Sequence, residues 1–225
     1  MNGTIVPSCA IIFAGGSLPD LEPARRFIDS SCLLIAADGG ARHALALGLT
    51  PAVIIGDLDS LLPTDRQQAE RQGARLLQYP TDKDETDLEL ALDYALQQNC
   101  TRILVVAAFG GRLDQTLANL SLLTDPRFAG LDLRLDDGVE EAFFTRRSAQ
   151  VRGRAGDLVS LLPWGGPVTG IRTRGLRWAL SGETLLPHKT RGISNEMLGP
   201  LAEIEIQSGL LLVIHRRLLP LAPDR

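Results

Sequence analysis

Between Cys9 and about Arg146, short apolar runs alternate with segments of helical spacing, and this alternation limits the fold more than any other feature of the chain. "CAIIFAGG" precedes "LEPARRFIDS", "CLLIAADGG" leads into "ARHALALGL", and "AVIIGDLDS" leads into "TDRQQAERQG". "ARLLQYP" then precedes "DETDLELALDYALQQN", "RILVVAAFGG" precedes "LDQTLANLSLLTD", and "LDLRLDD" with "EEAFFTRR" closes the series. In the fourth helix Leu88, Leu92 and Ala95 recur at helical spacing, with Leu96 beside them. Strands separated by helices at this pace predict a largely parallel sheet, covered on both faces and joined by right-handed crossovers.

After about Gln150 the helical spacing stops. "DLVSLLP", "VTGIRT", "LRWAL", "ETLLP", "AEIEI" and "LLLVIHRR" follow one another, punctuated by Gly and Pro, and predict an antiparallel sandwich or barrel. The boundary is expected between 146 and 152, giving an α/β domain over 1–148 and a β domain over 149–225. The final "PLAPDR" is expected to be a loose tail.

A chain of 225 residues, 44% hydrophobic and 22% charged, has the composition of a folded protein with a sizeable core. Its formal net charge of −4 and the lack of a basic stripe with interleaved aromatics argue against nucleic-acid binding. "CLLIAA" and "LLLVI" are too short to span a bilayer, and the N-terminus does not read as a signal peptide. Cys9, Cys32 and Cys100 fit no zinc spacing and are expected to be buried, reduced thiols of a cytoplasmic protein.

In an open parallel sheet, ligands collect beyond the carboxyl ends of the strands. Four successive strand ends here carry polar motifs: Asp38-Gly39-Gly40, Gly56-Asp57-Leu58-Asp59-Ser60, the acidic stretch from Asp82 to Asp87, and Gly110-Gly111-Arg112-Leu113-Asp114. Part of this has a structural explanation. Thr81 or Asp82 can cap the fourth helix with Glu85 closing a capping box, or Thr86 can do so with Glu89. Capping does not account for Asp57 and Asp59. Two carboxylates at i and i+2 repel unless a cation lies between them, and hard oxygen ligands suit Mg²⁺; a solvated turn is the alternative.

The pairs Gly15-Gly16, Gly39-Gly40 and Gly110-Gly111 either let a backbone approach phosphate or simply turn the chain. Neither a Walker sequence nor a full G-x-G-x-x-G is present. Arg112 is placed to clamp phosphate bidentately, with Asp114 orienting it, ligating metal or capping the next helix. In the second domain Trp178, expected in a short strand, is either core or a stacking face, and Ser194 and Asn195 are small polar groups able to bond a heterocycle. His43, His188 and His215 share no pattern and are expected to be surface or internally satisfied residues.

The ordered series "ADGGARHALALGLTPAVIIGDLDS", "YPTDKDETDLELAL", "GGRLDQTLANL", "TRGLRWAL" and "GISNE" resembles thiamine pyrophosphokinase over nearly the whole chain. "GDLDS" followed by "DKDETDLE" and "GGRLDQ" carries most of the specificity. The resemblance implies an N-terminal parallel-sheet α/β, Rossmann-like catalytic domain, a C-terminal β-sandwich, and a homodimer whose thiamine sites draw on both subunits. It implies transfer of the pyrophosphoryl group of ATP to the alcohol of thiamine, leaving AMP. By motif position Asp57, Asp59 and Asp87 become Mg²⁺ ligands. Arg112 and Asp114 fall near the phosphates, together with Asp38, Gly39, Gly40 and Gln115. Lys83 and Asp84 fall on the acceptor side, and Trp178, with Ser194 and Asn195 nearby, against thiamine. Gln115 stands where many bacterial relatives carry histidine, and 181–193 follows no strict family pattern.

Carboxylates cannot bind a triphosphate directly, since both are anions, so Mg²⁺ is the expected intermediary. Asp84 is the candidate acceptor of the alcohol proton. Competing readings are a diphosphokinase for another hydroxymethyl heterocycle such as a pterin, a non-catalytic nucleotide- or metabolite-binding module, and a phosphohydrolase.

Overall fold

The computed structural model describes residues 8–218 except 19, 27 and 30, so the tail expected at 220–225 lies outside the described residues. The chain forms two compact units that divide between Gly138 and Val139.

In the first unit six strands, β1 (Cys9–Phe13), β2 (Leu33–Ala37), β3 (Val53–Gly56), β4 (Arg75–Gln78), β5 (Arg102–Val106) and β6 (Asp132–Asp136), lie in the order β6-β5-β1-β2-β3-β4. Every pairing among them is parallel. The helices are α1 (Glu22–Arg25), α2 (Ala41–Ala46), α3 (Pro63–Arg71), α4 (Asp87–Gln97) and α5 (Leu113–Leu122). All five residues of β1 are buried, as expected of a central strand with both faces covered. Ile11 and Phe13 pack with Ala24 of α1 and Ala44 of α2, and Ala36 and Ile54 pack with Ala41 of α2 and Ala69 of α3. The intervening strand residues point the other way. α4 packs on β1, β2 and β3 and buries Leu88, Ala91, Leu92 and Ala95, which adds Ala91 to the stripe read from the sequence.

In the second unit two four-stranded antiparallel groups make a sandwich. β7 (Glu140–Thr145), β9 (Leu158–Pro163), β12 (Asn195–Glu196) and β14 (Leu211–Arg216) run in the order β12-β9-β14-β7. β8 (Ser148–Arg152), β10 (Val168–Arg174), β11 (Ser181–Leu185) and β13 (Leu201–Glu205) run in the order β11-β10-β13-β8. Val159, Leu161 and Val213 from the first group share one core with Val151, Ile171 and Ile204 from the second. "EEAFFTRR", which closes the α/β series in the sequence, belongs to this unit because β7 pairs antiparallel with β14 from Leu211↔Thr145 to Arg216↔Glu140.

Three details differ from expectation. "LRWAL" is not a strand: Leu176 makes a single bridge to Met197, and Trp178 sits in the loop between β10 and β11. "SAQVR", with little apolar alternation, forms β8 by pairing with β13. Cys9 and Cys32 are joined in a disulfide instead of standing as reduced thiols, and only Cys100 keeps a buried thiol. The parallel register explains the bond. Ala10 pairs with Leu33, so the residues one position earlier, Cys9 and Cys32, stand side by side.

Candidate active site

β2 follows β1 on one side of it and β5 lies on the other, so the strand order reverses at β1. Beyond the carboxyl ends of such neighbours the sheet leaves a crevice. A cavity of about 280 Å³ occurs there, lined by Gly15 and Gly16 after β1, Asp38 and Gly39 after β2, and Gly110 beyond β5.

β2 and β3 bring the carboxylates together. Their last pair in register is Ala37↔Ile55, so Asp38 and Asp57 emerge from adjacent strands. Ligand oxygens of Asp38, Asp57 and Asp59 lie within 4.8 Å of one another. The backbone takes uncommon shapes to achieve this: Asp38 has φ 42° and Leu58 φ 66°, in the left-handed region. Gly56 is required by space, since a Cβ there would stand 2.9 Å from Asp38 Cβ and 3.0 Å from Asp87 Oδ1. The Asp57 carboxylate accepts the Asp59 N–H at 3.2 Å, and the Ser60 hydroxyl donates to Asp59 at 2.9 Å.

Asp38 is 6% exposed, and its Oδ1 is buried with no hydrogen-bond partner among the described residues. Burial pushes its carboxyl above the usual range; the nearby polar groups of Ser60 and Gly39 oppose this, and the charges of Asp87 and Asp57 add to it. An orphaned carboxylate oxygen facing two more carboxylates fits a hard divalent cation, which takes oxygen ligands of this kind. Asp87 opens α4 and forms an ion pair with Lys83 at 3.0 Å; Lys83 Nζ is also 4.0 Å from Asp57. Burial works against the Lys83 charge, but the hydrogen bond to Asp87 and the surrounding carboxylates outweigh it and hold the ammonium above its ordinary value. Asp84 is exposed on the loop before α4. Thr86 is the cap of that helix, accepting the Glu89 N–H at 3.2 Å, so the second of the two capping registers is the one used.

Arg112 and Asp114 pair bidentately, with Nε at 3.1 Å from Oδ1, and both are exposed. Asp114 also accepts the Gln115 N–H in the first turn of α5 at 2.9 Å. The hydrogen bond from Arg112, with the Gln115 N–H behind it, holds the Asp114 carboxyl below its usual range. Gln115 lines the cavity, and so does Gly39. Gly40 instead packs against β1, where a Cβ would sit 2.0 Å from the Phe13 carbonyl oxygen.

Two family models match the chain in series. "Thiamin pyrophosphokinase, catalytic domain" covers 24–135, and "Thiamin pyrophosphokinase, vitamin B1 binding domain" covers 146–211. The chain belongs to the thiamin pyrophosphokinase family. Thiamine pyrophosphokinase of Bacillus subtilis is 28% identical over 209 residues, spanning 91% of this chain and 96% of that protein. The crystal structure of the Bacillus subtilis enzyme superposes with a TM-score of 0.85 at 26% identity, covering 94% of this chain and all of that one. A thiamin pyrophosphokinase family protein from Enterococcus faecalis gives 0.78 at 29%, covering 94% and 99%. As a member of this family the chain is an enzyme, a diphosphokinase.

Several residues of the thiamin pyrophosphokinase cavity escaped the sequence reading. Arg42 donates to the carbonyls of Gly15 and Gly16 at 3.0 and 3.3 Å and lines the cavity, as does Asn119. The only signal for Arg42 was its position directly after "ADGGA". His43 is satisfied by the Gly16 carbonyl at 2.9 Å, with burial pushing its imidazole down. His215 is fully buried between Glu141 and Asp157, and His188 is exposed.

In the second unit Trp178 is 58% exposed, which excludes a core role. The Arg177 guanidinium lies 5.2 Å from its ring centroid and pairs with Glu196 at 2.9 Å. Ser194 is exposed with φ 54°, its N–H donating to Ser160 at 3.0 Å. Asn195 is 5% exposed.

Proposed function

We propose that this diphosphokinase moves the β,γ-pyrophosphoryl group of ATP to the alcohol of thiamine, with ATP in the cavity beyond β1, β2 and β5. Asp38, Asp57 and Asp59 are the ligands of a divalent cation, magnesium, and Asp87 stands beside them with its charge shared by Lys83. The observation that carries the reading is the convergence of three carboxylates, one with an orphaned buried oxygen, at the edge of that cavity. When bound, magnesium neutralises phosphate charge that these carboxylates repel on their own.

The rest of the work falls to the chain. Arg112, oriented by Asp114, contributes positive charge toward the phosphates, and Arg42, which lines the cavity, does the same. Gly39 and Gln115 bring backbone and amide groups to the nucleotide. Lys83 holds the acceptor side, and we assign the hydroxyl proton of the acceptor to Asp84. The exposed Trp178 indole is the stacking face for the flat, cationic thiamine rings. It acts across the interface of a homodimer, a reading supported by the exposure of Ile193 and Leu198 in the same unit. Catalysis of this kind is mainly positioning and electrostatics.

Among the described residues no helix is long and apolar enough to cross a membrane. An ATP-dependent reaction fits the cytoplasm, where the Cys9–Cys32 bond faces a reducing medium.

The test is incubation with ATP, Mg²⁺ and thiamine, followed by mass analysis. AMP and thiamine diphosphate in equal amounts are expected. Release of inorganic phosphate without an acceptor, or turnover of a pterin alcohol in place of thiamine, overturns the reading.

A further inference from the structure

We infer that Asn195 is a positioning residue: its amide clamps the backbone on both sides of Trp178 and so presents the indole, without itself touching substrate. This rests on the reading of Trp178 as the thiamine platform.

The ends of the loop carrying Trp178 are pinned elsewhere, by the Leu198 N–H on the Gly175 carbonyl at 2.9 Å and the Thr173 N–H on the Leu180 carbonyl at 2.9 Å, but at Trp178 itself both backbone groups bond to Asn195. Between the end of β10 at Arg174 and the start of β11 at Ser181 the ladder contact among the described residues is the Leu176–Met197 bridge. Asn195, by contrast, is anchored, opening β12 opposite Val159. Its Oδ1 accepts the Trp178 N–H at 3.0 Å and the Glu196 N–H at 2.9 Å, and its Nδ2 donates to the Trp178 carbonyl at 2.8 Å. A side-chain amide offers two acceptor and two donor positions, so three of four are spent on backbone. The pattern also fixes the orientation of the amide, since the N–H groups need the oxygen and the carbonyl needs the nitrogen. At 5% exposure the side chain has almost no surface left for a ligand.

The next residue extends the clamp. The Glu196 carbonyl accepts the Arg177 N–H at 2.8 Å, and the Glu196 carboxylate holds the guanidinium that lies over the indole. One face of Trp178 is thus taken by Arg177, and the ring is left to offer the other. "RW" and "SNE", distant in sequence, form one mechanical unit.

The experiment uses the full chain carrying Trp164→Phe, which leaves Trp178 as the sole tryptophan. Adding Asn195→Ala is expected to raise the KM for thiamine at least ten-fold, to leave the KM for ATP within two-fold, and to lower the fluorescence anisotropy of Trp178 without ligand. In a Trp178→Ala background the same Asn195→Ala change is expected to alter the thiamine KM by less than two-fold. Asn195→Asp keeps the two acceptor contacts and loses the donor, so its KM and anisotropy should fall between those of the parent and Asn195→Ala. It also serves as the test variant if Asn195→Ala does not fold. Losses that multiply across the two sites, or an unchanged anisotropy, overturn the proposal and make Asn195 a direct ligand or a bystander. Absence of AMP formation by the parent protein would remove only the functional reading, because the anisotropy comparison decides the clamp independently.

Discussion

Around Arg127 three carboxylates gather on one guanidinium, whereas at the ends of β2 and β3 three others gather on one another. The Arg127 side chain meets Asp93 at 2.7 Å, Glu89 at 2.9 Å and Asp125 at 2.7 Å. The Asp38, Asp57 and Asp59 oxygens lie within 4.8 Å of each other, and the nearby ammonium of Lys83 is 4.0 Å from Asp57 and committed to Asp87. The carboxyls respond in opposite directions. The hydrogen bond from Arg127 holds Asp125 below its usual range, while burial pushes Asp38 above it. Two unit charges about 5 Å apart at an effective dielectric near 20 repel by roughly 3 kcal/mol, less where water reaches them. A cluster of that kind persists because the strand ends and the φ values of Asp38 and Leu58 impose it, and on the proposed reading a cation from outside relieves it. The first cluster is compensated within the fold; the second is the one we propose holds a cation.

The comparison breaks most readily at the second cluster. Asp57→Asn and Asp59→Asn should each lower kcat about 100-fold or more with the fold intact, read as AMP release at saturating Mg²⁺ beside a circular dichroism spectrum. Full activity in both would remove the cation assignment. A different test asks what holds the second cluster in place. The Cys9–Cys32 bond ties β1 to β2 at the ends away from the cavity and closes a 23-residue separation. Its reduction is expected to cost about 3 kcal/mol of stability, seen as a lower Tm. AMP formation by molecules still folded should be unchanged, since the parallel ladder itself sets the positions of Asp38 and Asp57.

Divalent cation binding should appear in stability as well. Mg²⁺ at about 100 times its Kd is expected to raise stability by ~2.7 kcal/mol. Asp38→Asn, scanned in EDTA, should be more stable than the parent, because it removes a buried carboxylate with an orphaned oxygen, and it should gain less from Mg²⁺. A variant destabilised in EDTA would mean that Asp38 is satisfied within the fold.

The strand and helix series was legible because apolar runs and 3.6-residue spacing are local signals, and so was the gathering of polar motifs at the carboxyl edge, where the cavity lies. Asp57 and Asp59 stood out because they are close in sequence. The grouping of Asp38 with them was not legible, since it depends on β2 lying beside β3 in a particular register. The same is true of the Cys9–Cys32 bond, which follows from the β1–β2 register. Trp178 read as a strand residue because "LRWAL" is locally apolar; its loop conformation is set by a side chain 17 residues further on, Asn195. β8 was missed because its ladder partner, β13, comes later in the chain and its own composition gives little strand signal.

The smallest effect belongs to the compensated cluster. Arg127→Ala should leave thiamine and ATP kinetics unchanged and lower Tm only slightly, because the guanidinium is 43% exposed and water and salt already screen its pairs. Its pH dependence is the sharper readout. Asp125 has a folded-state pKa below its unfolded value, so the stability it contributes is present above about pH 4 and is lost as pH falls through the depressed folded value. The Tm gap between parent and Arg127→Ala should therefore be widest near neutrality and close in acid. The sign for the second cluster is opposite. Asp38, with its raised folded-state pKa, favours folding below the ordinary aspartate range and loses that contribution as pH rises. In EDTA, the Tm gap between Asp38→Asn and the parent should therefore open as pH rises. If rising pH instead moved the parent the same way relative to both variants, gaining on both or losing to both, the two carboxylate groups would be built alike after all.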